Sequence, residues 1–80
     1  MSDIPAYMRV LVRHVLHRAD QLGDGHPGWA AICDNWDLAD IARTLARARV
    51  REPHHAVLVM DRVANEIVAN TAAMRAGRVH

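Results

Sequence analysis

Lysine and phenylalanine are absent from this chain, and the 80 residues hold one cysteine, one tyrosine and two tryptophans. Each scarcity excludes something. A single thiol, Cys33, cannot close an internal disulfide, so the fold must stand on its apolar core, and a reducing compartment is the simpler expectation. No apolar run approaches the roughly 20 residues that cross a bilayer. The stretch Met1–Ala6 is acidic and lacks the basic start and apolar centre of a signal peptide, so a cytoplasmic location is expected. Neither sign of charge dominates. Ten arginines face nine acids for a formal net charge of +1, which removes any global pull toward nucleic acid. Arginine without lysine, together with abundant alanine and valine, points to a GC-rich genome of actinobacterial or phage type.

About half the residues, 51%, are apolar, and only 4% are aromatic. A chain this short buries only about two-thirds of its unfolded surface, so its core is small and a partner subunit would add stability. Helix packing through alanine and β-branched or aliphatic side chains suits this composition. The longest run without a breaker lies between Pro53 and Gly77, residues suited to a helix start and to the position just past a helix end. Within it Val57, Met60, Val63, Ala64, Ile67, Val68, Thr71 and Met74 recur at three- and four-residue steps, which makes one broad helical stripe. This segment is expected to organise the fold.

The other helices follow from the same spacing. Ser2 or Asp3 can cap a first helix at about 5–22, with Ile4, Met8, Leu11, Val12, Val15, Ala19 and Leu22 on one face and Gly23 as its stop. Gly23–Gly28 reads as a loop, because three glycines and a proline fall within six residues. It lacks the preceding strand and the Gly-Lys-Ser/Thr ending of a phosphate loop. Trp29, Ile32, Cys33 and Trp36 share one face of a short helix at about 29–34. Leu38, Ile41, Ala42 and Leu45 point the opposite way, so the chain must turn near Asp34–Asp37 before a helix at about 36–51. The last helix is expected over 53–76, with a frayed tail at 77–80. The predicted fold is all-α: a small bundle of three main helices plus one short helical segment, in a single domain.

Candidate chemistry is sparse. His14 and His17 share a face and, with Cys33, could supply three zinc ligands, but no Cys-x-x-Cys or His-Glu-x-x-His spacing is present. Cys33 falls in an apolar arc, where a cysteine behaves as an inert small hydrophobe. No catalytic group and no cofactor is therefore expected. Arg43, Arg47 and Arg51 recur every four residues and, with Arg49, could contact phosphates. Ile41-Ala42-Arg43-Thr44-Leu45-Ala46 is similar to the first helix of a helix-turn-helix, although no glycine-containing turn follows it. The third surface is apolar. Val10 and Leu58 fall on polar faces, and Trp29 and Trp36 are large for so small a core. Aromatic residues ringed by arginine are typical of interface hot spots. Trp29, Trp36, Tyr7, Val10, Leu58, Arg43 and Arg47 are thus the expected contact residues of a small interaction or regulatory protein, most economically a homodimer. Asn70, at the edge of the buried stripe, could fix the register of such a pair.

Overall fold

The computed structural model describes residues 4–77. Four α-helices occur in the described residues, with no strand among them: α1 Ala6–Leu22, α2 Pro27–Asn35, α3 Leu38–Arg47 and α4 Pro53–Gly77. The expected all-α bundle is what forms. The proposed cap at Ser2 or Asp3 and the tail from Arg78 onward lie outside the described residues, and Gly77, expected just past the last helix, is its final residue.

The first helix buries Met8, Leu11, Val12, Val15 and Ala19, which is the face read from the spacing. It stops at Gly23, whose backbone adopts φ 52° and ψ −135°, a region that side chains with a Cβ avoid. No atom lies within 4 Å of where a Cβ would sit, so backbone conformation alone demands glycine there. A short 3₁₀ turn, Gly23–Gly25, follows.

The second helix begins two residues earlier than expected, because its start signal is unusual. Pro27 takes the first helical position, and the N-cap is His26, whose Nδ1 accepts hydrogen bonds from the N–H groups of Gly28 (3.2 Å) and Trp29 (3.4 Å). An accepting Nδ1 leaves the ring proton on Nε2, which donates to Asn65 Oδ1 on α4 at 3.1 Å. Conversely, α3 is shorter than the expected 36–51. Asp37 and Asp40 form a reciprocal capping box at its start, with Asp40 N–H to Asp37 Oδ1 at 2.8 Å and Asp37 N–H to Asp40 Oδ2 at 3.0 Å. Its end is a Schellman motif: Val50 N–H reaches the Leu45 carbonyl (3.1 Å) and Arg49 N–H the Ala46 carbonyl (3.0 Å). Buried Val50 and Leu45 supply the apolar contact of that motif. Arg49 occupies the left-handed position with φ 55°, where glycine is usual.

The four helices are not equal partners. The element that packs substantially on each of the others is α1, rather than α4 as the sequence suggests. The last helix lies across α1 and α2, while α3 packs on α1. Close approach of α2 and α4 depends on Gly28, because a Cβ there would overlap the Ala64 carbonyl. The core fills the space between these surfaces, with Trp29, Leu11, Ile32, Leu45, Met60 and Val15 as its largest fully buried side chains. At 1.5 Å per residue the 25-residue α4 spans roughly 37 Å, and it makes the molecule long in one direction, 48 × 25 × 21 Å.

Candidate functional site

The first half of α4 is held by α1 and α2. Ala56, Met60 and Ala64 are buried at four-residue steps. Beside them Asp61 Oδ1 accepts the indole N–H of Trp29 at 2.8 Å and lies 3.7 Å from Arg18 Nε of α1. That nitrogen is itself buried and makes no hydrogen bond, so the carboxylate is its nearest compensation. Four residues further on, Asn65 receives His26. Asp61 therefore ties α1 and α2 to α4, a role that periodicity could not assign to an acid at the stripe's edge.

The support ends at Ile67, which still packs against the core. Ile67 is half-buried, but Val68 (38% exposed), Thr71 and Met74 (64% exposed) stand in solvent although they continue the apolar stripe. About three turns of α4 project past the body with their apolar stripe uncovered. Their spacing predicts burial. Among the described residues no further element covers them. Asn70 is likewise exposed.

The expected contact residues divide among three places. Trp29, expected as a contact residue, is instead only 1% exposed and belongs to the core, because α2 lays it against α4 with its N–H satisfied by Asp61. Trp36, half-buried at the end of α2, shares a cleft of about 360 Å³ with Asp40, Arg43 and Arg47. Arg43 also borders a groove of about 490 Å³ between the start of α1 and α3, with Tyr7, Met8, Ala39, Ala42 and Ala46 around it. So Trp36, Arg43, Arg47 and Tyr7 gather on the α3 side. Leu58 lies elsewhere, in an α1–α4 cleft with His14, His17 and His54. Val10 is exposed one turn before His14, whose Nδ1 donates to the Val10 carbonyl at 2.9 Å. Val10 and Leu58 are thus separate from the α3 group.

Two other expected sets do not assemble. Cys33 is exposed rather than buried and lines a hollow with Leu16, Ala19 and Ala30, not the cleft that holds His14 and His17. Among the described residues no three His, Cys, Asp or Glu side chains are placed to hold a metal ion. The arginine stripe is cut short because α3 ends at Arg47. Arg49 forms the left-handed turn and Arg51 follows it, so only Arg43 and Arg47 share a helix face, and Arg43 is engaged by Asp40 at 3.1 Å. Nor does α3 pack substantially on α2 or α4, its neighbours in sequence, as a helix-turn-helix pair would.

No family model matches the chain, and comparison with curated proteins and with solved structures gives no significant match. No helix among the described residues is long and apolar enough to cross a membrane.

Proposed function

We propose that this chain is a non-enzymatic interaction protein that presents helix faces to other proteins, and that one of those faces binds a second copy of itself. A single observation carries the reading: the apolar stripe of α4 is buried at Ala56, Met60 and Ala64, then runs on uncovered through Val68, Thr71 and Met74. A helix of about three turns is marginal in water unless its apolar face is covered. Two such ends, packed about a twofold axis, would shelter Ile67, Val68, Thr71 and Met74 of each copy. A twofold interface uses the same patch on both partners and closes on itself. Asn70 would sit near the axis and could bond its counterpart, favouring one register. The test is light scattering during gel filtration at micromolar to millimolar concentration, on the wild type and on Val68→Glu/Met74→Glu. A wild-type dimer that becomes a folded monomer in the variant supports the reading. A wild type that stays monomeric throughout removes it.

A further inference from the structure

The α3 side of the molecule has a different chemistry from the end of α4. Where α3 leans on the start of α1, the two helices leave between them an open apolar groove of about 490 Å³, floored by Met8, Ala39 and Ala42. Alanines at 39, 42 and 46 recur at three- and four-residue steps along that edge. Small side chains in this spacing let the axis of another helix come within about 8–10 Å. The half-buried Ile4 forms one wall, and on its far side a second hollow carries Leu16 and Leu38, both exposed.

Charge selects what could lie there. Arg43 lines the groove itself, Arg47 lies in the adjoining cleft that shares Arg43, and Arg9 and Arg13 line the hollow beyond Ile4. The acids of α3 engage only one member of this set, Arg43. Asp37 and Asp40 are joined in the capping box, and Asp40 also holds Arg43 at 3.1 Å. Arg9, Arg13 and Arg47 form no ion pair among the described residues. An apolar floor between arginine rims offers nothing to a phosphate backbone along its centre, but it matches an amphipathic helix with carboxylates flanking its apolar face.

We infer that the α1–α3 groove binds a partner's amphipathic helix that carries Asp or Glu beside its apolar stripe. The inference rests on the interaction reading but not on self-association, so it is tested on the Val68→Glu/Met74→Glu chain, whose α4 end cannot pair. The probes are two synthetic 14-residue helical peptides with one leucine face, flanked by glutamate in one and by lysine in the other. Binding is followed by calorimetry and by the fluorescence of Trp36 in the adjoining cleft, which shares Arg43 with the groove. The glutamate peptide is expected to bind with Kd on the order of 10 µM, at least about tenfold more tightly than the lysine peptide. Arg43→Glu/Arg47→Glu reverses that preference. Ala46→Trp, at an exposed position that leaves the helix content unchanged by circular dichroism, fills the groove and weakens the glutamate peptide at least about tenfold. The inference is overturned if the glutamate peptide fails to bind below about 1 mM, if the charge reversal leaves both affinities as they were, or if Ala46→Trp has no effect. Tighter binding of duplex DNA or of anionic phosphatidylglycerol vesicles would also overturn it, since the face would then read polyanions. If both chains bind the glutamate peptide but the wild type never dimerises, the groove stands and self-association falls.

Discussion

The two halves of α4 carry one continuous stripe and meet opposite fates. From Pro53 to Asn65 the stripe is enclosed by α1 and α2, and its polar edge is fastened through Asp61 and Asn65. From Glu66 onward the same periodicity presents Val68, Thr71 and Met74 to solvent. Amphipathic spacing shows that a face can be buried. Whether it is buried depends on how far the neighbouring helices reach, and α2 begins where α4 passes His26.

The contrast can be strained first at the enclosed half. Trp29→Ala should lower the unfolding free energy by about 3–5 kcal/mol, the cost of an emptied aromatic site. Gly28→Ala should cost about 3 kcal/mol, because the added methyl meets backbone at Ala64 rather than a side chain that can move. Both are read by urea denaturation. Asp61→Ala should cost about 1–3 kcal/mol by leaving the indole N–H without its acceptor. Asp61→Asn, which keeps an oxygen there, should cost less, since the Arg18 side chain is 40% exposed and its ion pair is screened. A larger loss in Asn than in Ala would contradict this assignment of Asp61. At the projecting half, Met74→Glu should change the stability of the monomer by no more than about 0.5 kcal/mol. A substantial loss there, measured at a concentration too low for dimer, would mean that the end of α4 folds back on its own body.

Much of the architecture was legible in the residues. The apolar spacing of α1, the turn at Asp34–Asp37 and the start of α4 at Pro53 all follow from periodicity and breaker residues. What was hidden lies where an uncommon residue takes a common role. His26 caps α2 in place of the usual serine, threonine or acid, so that helix starts before the expected point. Arg49 takes the left-handed position of a Schellman turn, so α3 ends before the expected 51 and Arg51 leaves the arginine stripe. This second point has its own check. Arg49→Gly should stabilise the fold by up to about 1 kcal/mol by relieving that backbone conformation, less what glycine adds to the freedom of the unfolded chain. The burial of Trp29 is hidden for a third reason. Helical phase puts Trp29 and Trp36 on one arc, but it cannot say that an acid 32 residues away satisfies one indole and so lets it sink into the core.

In the proposed dimer the last turns of α4 are sheltered by a second copy of the chain. Amide hydrogen exchange of residues 66–75, followed at several protein concentrations, tests it most directly. Protection of this segment should rise with concentration and be lost in Val68→Glu/Met74→Glu, while residues 56–64 stay equally protected throughout. Protection of 66–75 that is the same at every concentration and in both chains would contradict it.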